Sequence, residues 1–315
     1  MTGPAATPAL RTSGLGKRYG GTWALRDCSV SVPRGRICFL VGTNGAGKST
    51  LLDLVCGIAE PTTGTVDVLG SPVARGEGSR RVSFLDQNKP LFRSFTVDEM
   101  MRTGRELNPS WDASLARRVL AVGDIPGSAR VNTLSGGHRG LVALALTLGK
   151  SADLVLLDEP LAELDPVARH EVLGLVLAEA AERELTVVIS SHTLPDMDGV
   201  CDYLLLLNQG RVQLAGEPEE IARAHRRVTT VPGAEDAESA DTGTESGHTV
   251  VDSWQTGRGS GALVRSDGEL PPDWYPERVT AEEVVLAHMR NPEVAELYTA
   301  AALGETVTQE AEVLS

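Results

Sequence analysis

Lys48 stands in the glycine-rich run Gly42-Thr43-Asn44-Gly45-Ala46-Gly47-Lys48-Ser49-Thr50, and two adjacent acids, Asp158 and Glu159, end the apolar run Leu154 to Leu157. These residue types suit phosphate chemistry. Gly42, Gly45 and Gly47 let the backbone take positive φ and come close to a polyanion. Lys48 supplies a point charge for β and γ phosphates, and Ser49 a hydroxyl ligand for Mg²⁺. The apolar run Ile37 to Val41 before the loop predicts a strand. Lys48 to Cys56 has the composition of a helix, whose orphan N–H groups and positive dipole end face the same phosphates. A glycine-rich surface turn is the plainer alternative, and the flanking strand and helix weigh against it. At the second run, a buried strand that releases two acids at its C-terminal end puts them where open α/β sheets bind ligands. Asp158 suits Mg²⁺ held through its water shell, and Glu159 suits the polarising of an attacking water. Acids facing solvent at a strand end are the alternative.

Other residues carry two readings each. Tyr19 is either an aromatic that stacks on an adenine ring or an ordinary half-buried strand tyrosine. Gln87 follows the strand Val82 to Leu85. It is a solvated loop residue or, if that strand lies beside the phosphate loop, an amide that reaches Mg²⁺ and the attacking water. Ser135, Gly136 and Gly137 begin a strongly apolar helix, either as a plain N-cap or as a second set of phosphate contacts. His192 follows the run Thr186 to Ile189, whose strand should lie beside the one that ends at Asp158. It is structural, or it reaches a γ-phosphate.

The elements that position these residues can be read in outline. Residues 1–12 are rich in Pro, Ala and Thr and are expected to fray. Leu15 to Val32 suggests strands, and Thr65 to Leu69 another. Val97 to Leu107 and Asp112 to Val122 read as helices of a compact helical insert. Asp165 caps a helix that starts at Pro166, with a stripe of Val172, Leu173, Val176, Leu177 and Ala180. Tyr203 to Leu207 and Arg211 to Leu214 form a hairpin. No Lys or Arg stands between Arg227 and Arg258, where acids accumulate among Gly, Ser and Thr, so residues 227–249 read as an acidic linker. Beyond it, Val250 to Thr256 and Gly261 to Arg265 suggest a pair of strands and Thr280 to Met289 a helix, in a small accessory region over 250–315.

Composition limits the function. A chain of 315 residues with 41% hydrophobic content has room for a full core and for a large domain plus a smaller one. A formal charge of −14, with Lys only at positions 17, 48, 89 and 150, excludes a dedicated nucleic-acid binder, which needs clustered cations. Met1 to Leu10 lacks the pattern of a signal peptide, and no run approaches the ~18 to 20 apolar residues that span a bilayer. A cytoplasmic chain is expected. Cys28, Cys38, Cys56 and Cys201 show no C-x-x-C spacing and read as buried free thiols.

Taken in order, these features resemble the nucleotide-binding subunit of an ABC transporter. Gly42 to Thr50 resembles the Walker A motif, Gln87 the Q-loop, Leu134 to His138 the signature, Leu154 to Glu159 Walker B, Leu161 to Asp165 the D-loop and His192 the H-loop; Tyr19 resembles the A-loop aromatic. The resemblance spans roughly residues 13–222. It implies an α/β fold of the P-loop NTPase class: a RecA-like core over 13–226 with an antiparallel β flank, and a helical subdomain at about 88–140 that docks a membrane partner. It implies ATP and Mg²⁺ as cofactors. The nucleotide would be held by Tyr19, the loop from Gly42 to Thr50, Ser135, Gly136 and Gly137, the metal by Ser49, Gln87 and Asp158, and catalysis would fall to Glu159, His192, Lys48 and Gln87. The implied partners are an integral membrane permease and a second copy of the chain, whose signature closes on the Walker A site in a two-fold dimer. The implied place is the inner face of the cell membrane, as a peripheral subunit. The tail resembles the short accessory regions of ATPases that serve ABC-2-type exporters. Import, a soluble ABC ATPase and a non-catalytic nucleotide sensor are the alternatives. Three positions depart from the family pattern: His138 stands where Gln is usual, Glu163 where a small residue is usual, putting a charge near the dimer seam, and Thr43 where Pro is frequent.

Overall fold

The structure, a computed structural model, describes residues 7–73, 80–230, 248–256, 259–266, 270–272 and 274–303. The chain runs through β1 (Leu10–Tyr19), β2 (Thr22–Val32), β3 (Ile37–Val41), α1 (Lys48–Val55), β4 (Thr63–Val68), β5 (Ser71–Pro72) and β6 (Val82–Leu85). Three helices follow, α2 (Val97–Leu107), α3 (Ala113–Ala121) and α4 (Gly136–Gly149). Next come β7 (Leu154–Asp158), α5 (Pro166–Arg183), β8 (Thr186–Ser191), β9 (Tyr203–Asn208), β10 (Arg211–Gly216) and α6 (Pro218–Arg223). The remainder holds β11 (His225–Thr230), β12 (His248–Thr256), β13 (Gly259–Ser266), β14 (Trp274–Glu277), α7 (Ala281–Arg290), β15 (Leu297–Tyr298) and α8 (Ala300–Leu303).

The strands β3, β7 and β8 are continuous apolar runs because both of their faces are covered, as a parallel sheet requires. They sit in a seven-stranded sheet of order β15-β10-β9-β3-β8-β7-β6. Side chains alternate between two cores. Phe39, Val41, Leu157 and Ile189 face α4 and α5, whereas Cys38, Leu40, Leu156 and Val188 face α1 and the flanking antiparallel sheet β2-β1-β4-β5. Helix starts follow from local chemistry. Thr96 and Glu99 form a reciprocal capping box at α2, and Asp165 accepts from the N–H groups of Val167 and Ala168 with Pro166 in the first turn of α5. All four cysteines are free, with Cys28 and Cys38 buried and the other two half-buried.

Four expectations need correction. The strand before Gln87, β6, lies beside β7, and β8 and β7 separate it from β3, so it is not a neighbour of the phosphate loop. Ala9 and Leu10 are buried and β1 starts at Leu10, so residues 9–12 are not frayed: they pair with both β2 and β4. The expected linker begins inside β11, where Val228 is fully buried between β13 and β14, and its last two residues, His248 and Thr249, open β12; residues 231–247 lie outside the described residues. The subdomain bound expected at about 140 falls inside α4, one continuous helix from Gly136 to Gly149 whose apolar side chains join the main core.

The C-terminal region is also less separate than its composition suggests. Val284, Val285 and Ala287 of α7 join the same core cluster as β3 and β7. The carbonyls of His288 and Met289 in the last turn of α7 accept from Asn208 Nδ2 at 3.0 and 3.3 Å, and Asn291 O accepts from Gln213 Nε2 at 2.8 Å. β15 then pairs in parallel with β10 and becomes the edge of the main sheet. Deleting residues 228–315 would remove these partners and uncover the core surface that Val284, Val285 and Ala287 now cover. A loss of a few kcal/mol is expected, at roughly 1.5–3 kcal/mol per large apolar side chain removed from the core, and denaturant unfolding of the truncated chain measures it.

Between α6 and α7 lie two fully buried histidines, His225 and His288, whose Nε2 atoms are 3.3 Å apart. Such a contact needs one neutral ring to donate and the other to accept. Burial lowers both pKa values, to about 4 for His225 and about 3 for His288, and the Arg265 charge pushes in the same direction. An unfolded histidine titrates near ~6.5, so between ~6.5 and the folded values the unfolded chain binds more protons. Stability is therefore full above ~6.5 and is lost as pH falls towards about 4. Unfolding midpoints at pH 7 and pH 5 should separate in the native chain, and the separation should shrink in His288→Leu.

Candidate active site

The turn after β3 brings the glycine-rich loop to the C-terminal edge of the sheet. Gly42 has φ 155°, and a Cβ there would lie 2.3 Å from the carbonyl oxygen of Leu207 at the end of β9. Only glycine lets the loop leave β3 so close to its neighbour. α1 starts at Lys48, and its N-cap, Gly47, has no side chain to cap the first turn, so the leading N–H groups are left to a ligand. The turn of the β9/β10 hairpin steadies the loop from the far side, where Gly210 N donates to Ala46 O at 3.1 Å.

A cavity of about 340 Å³ opens over this loop, and Asn44 to Thr50, Gln87, Asp158, Glu159 and Ala24 line it. Lys48 is buried there. Its Nζ donates to Gly42 O at 2.8 Å and lies 3.8 Å from Glu159 Oε1. Burial lowers the Lys48 pKa, and the Glu159 and Asp158 carboxylates oppose that shift. Asp158 and Glu159 are themselves 2% and 8% exposed, which removes the reading of a strand end with acids facing solvent. β7 delivers Asp158 and β8 delivers Ser190 directly opposite. The Ser190 hydroxyl donates to Asp158 Oδ1 at 2.5 Å and accepts from Glu159 N at 2.9 Å. Glu159 has φ 50°, an uncommon conformation for a residue with a side chain. Its Oε2 lies 2.8 Å from His192 Nδ1, so a neutral His192 donates from Nδ1 and keeps Nε2 as an acceptor.

The sequence-predicted residues divide accordingly. The loop, Gln87, Asp158 and Glu159 meet at one cavity, and His192 joins through Glu159. Gln87 reaches the cavity although β8 and β7 separate its strand from β3. Tyr19 does not line the cavity: it is 50% exposed near the β1/β2 turn, with Lys17 Nζ 5.0 Å from its ring centre. Ser135, Gly136 and Gly137 do not line it either. Ser135 Oγ accepts from His138 N at 3.2 Å, as an N-cap does. Glu163 lies across these glycines, since a Cβ on Gly136 would stand 2.5 Å from its Oε2. Its expected extra charge is balanced within the chain by Lys89, 3.1 Å away.

Sequence reasoning missed Ser190, whose signal was a hydroxyl at the end of an otherwise apolar strand, and Asp53 on α1. Burial, then the charges of Asp86 and Asp158, raise the Asp53 pKa, although Asp53 does not line the cavity itself. A divalent cation fits this donor set of hydroxyl, amide and carboxylate oxygens, and a polyphosphate fits the uncapped helix and Lys48.

Comparisons with known proteins agree with this geometry. The sequence model of the family described as "ABC transporter" matches residues 25–162. The Nod factor export ATP-binding protein I of Cupriavidus pinatubonensis is 32% identical over 226 residues, covering 69% of each chain. The nickel import ATP-binding protein NikO of Rhodobacter capsulatus is 34% identical over 249 residues, covering 72% of this chain and 97% of its own length. A solved ATP-binding subunit of an ABC transporter superposes with a TM-score of 0.62 at 26% identity, covering 68% of this chain and 92% of that one.

Ser190→Ala would leave Glu159 N–H without its buried acceptor and free Asp158. A stability loss of about 1–3 kcal/mol is expected, with weaker binding of Mg²⁺-nucleotide. Denaturant unfolding and a fluorescent-nucleotide titration read the two effects separately.

Proposed function

We propose that this chain, which belongs to the ABC transporter ATP-binding family, is the ATP-hydrolysing motor of a membrane exporter, working as a two-fold dimer beneath a separately encoded permease. The observation that carries the hydrolytic reading is the sequence of contacts from buried Lys48 through buried Glu159 to the exposed His192 at the rim of the phosphate-loop cavity. In this reading the loop backbone and the first turn of α1 hold the β and γ phosphates, and Lys48 neutralises them. Ser49, Gln87 and Asp158 would hold Mg²⁺, which when bound offsets phosphate charge. Glu159 takes a proton from the attacking water, and His192 presents Nε2 to the γ-phosphate and keeps the water in line. Tyr19 stacks on adenine from outside the cavity.

Ser135, Gly136 and Gly137 sit outside their own chain's cavity, which supports their acting on the cavity of a second copy. ATP would then be shared across the seam, and its hydrolysis would open the dimer. Among the described residues no helix is long and apolar enough to cross a membrane, in keeping with a permease supplied as another chain. Both an export and an import ATPase are among the relatives, so direction rests on the C-terminal region, which resembles those of ABC-2-type systems. A peripheral position on the inner membrane face goes with this reading.

Glu159→Gln keeps the side chain's shape and removes its basicity. Turnover is expected to fall roughly 10²- to 10⁴-fold, the range for a positioned base, while ATP still binds. Sizing this variant with and without Mg-ATP should show an ATP-dependent dimer. A monomer peak under both conditions, or unchanged phosphate release, would overturn the reading. Recovery of a polytopic membrane protein with the native chain from solubilised membranes tests the permease, and that protein's sequence tests direction.

A further inference from the structure

We infer that the C-terminal region holds a second ligand site, a cavity between α7 and the sheet β12-β13-β11-β14 that takes a planar hydrophobic monoanion. The inference stands apart from the transport reading, since it uses none of the residues of the phosphate-loop site. α7 packs unevenly. Val284 and Val285 are fully buried against the main core, but on the side facing β12 and β13 a space of about 380 Å³ remains, somewhat larger than the 340 Å³ over the phosphate loop. That volume lies within the usual range of small-molecule sites, about 300–1,000 Å³.

The lining has the shape for a ring. Trp254 stands opposite Gly261 in the β12/β13 ladder, and its indole crosses that glycine: a Cβ on Gly261 would be 2.5 Å from Nε1 and 2.6 Å from Cε2. The missing side chain is what lets the indole lie against the sheet and help to wall the cavity. Leu263, Val279 and Leu286 supply the other apolar surface.

The rim sets the sign of the ligand's charge. Arg227 pairs with Glu283, and Arg290 with Asp252 at 3.2 Å. Both carboxylates have further donors: Glu283 Oε2 accepts from Thr280 N at 2.8 Å in the capping box of α7, and Asp252 Oδ1 accepts from Ser253 N at 3.0 Å. Each guanidinium carries five N–H donors in a fork suited to an oxyanion, so the capacity left at the rim is donor capacity. Arg227 also stands 5.9 Å from the Trp254 ring, which puts a cation beside the aromatic wall. Formal charge at the rim balances, with Arg227 and Arg290 matched by Glu283 and Asp252, so what the cavity offers an anion is the N–H donors that these pairs leave unused.

Calorimetric titration of the full chain with 2-naphthoate tests the site, with saturating Mg-ATP present to occupy the phosphate-loop cavity. One saturable event is expected, with the neutral analogue 2-naphthamide binding roughly tenfold more weakly, equivalent to ~1.4 kcal/mol. Arg290→Gln, at a side chain 69% exposed, should weaken naphthoate about tenfold and leave naphthamide unchanged, as expected for loss of one charged contact. Leu286→Trp, at a residue 39% exposed, should fill the space and abolish binding of both probes. Unchanged circular dichroism and Mg-ATP affinity show that each variant is folded. Absence of saturable heat, equal affinity for the two probes, or binding that neither variant alters would overturn the proposal.

Discussion

Everything at the sheet's C-terminal edge depends on giving polar partners to two neighbouring carboxyl groups that lie nearly out of water. Burying an ion costs several kcal/mol unless fixed partners replace its hydration. The fold answers with three different groups. Ser190 binds one carboxylate and the backbone of the other, Lys48 approaches Glu159 from the loop, and His192 approaches it from beyond β8. Ser190 and His192 arrive from the end of β8 and Lys48 from the loop after β3, so the order β3-β8-β7 is what brings all three to these carboxyl groups. The uncommon backbone of Glu159 follows from the same demand, because its chain must turn sharply for the carboxylate to point back over the loop.

The sequence made the chemistry legible where it is local. A glycine-rich loop between an apolar strand and a helix, or two acids at the end of an apolar strand, needs only a short window to be recognised. The helix caps at Thr96, Asp165 and Thr280 were equally accessible, since a cap is decided within four residues. What could not be read was set by distant pairing. Strand β11 is polar by sequence, and only its partners β13 and β14 explain why it is extended and why Val228 is buried. The place of β6 stayed open because strand order is a property of the whole sheet, and Gln87 reaches the cavity although β6 is not beside β3. Ser190 looked like a polar residue on the way to His192, and its double role appears only once β7 and β8 are side by side.

The C-terminal region shows how composition divides a chain that packing does not. An acid-rich stretch suggested a boundary, yet the helix beyond it ends on side-chain amides of the β9/β10 hairpin. That hairpin also holds the phosphate loop through Gly210 and Ala46. The same hairpin is thus bound on one side by α7 and the residue that follows it and on the other by the loop that starts the site, which gives the two regions a shared mechanical element.

The placement of β15 bears on synthesis as well as on stability. Nearly all of the sheet is encoded before residue 217, but the strand that covers β10 is encoded at Leu297 and Tyr298. As the chain leaves the ribosome, β10 must wait as an open edge, with its unpaired backbone groups available to any other strand. Anything that delays the last strand prolongs that exposure, so a stalled or nicked chain is more prone to aggregate than its intact core suggests.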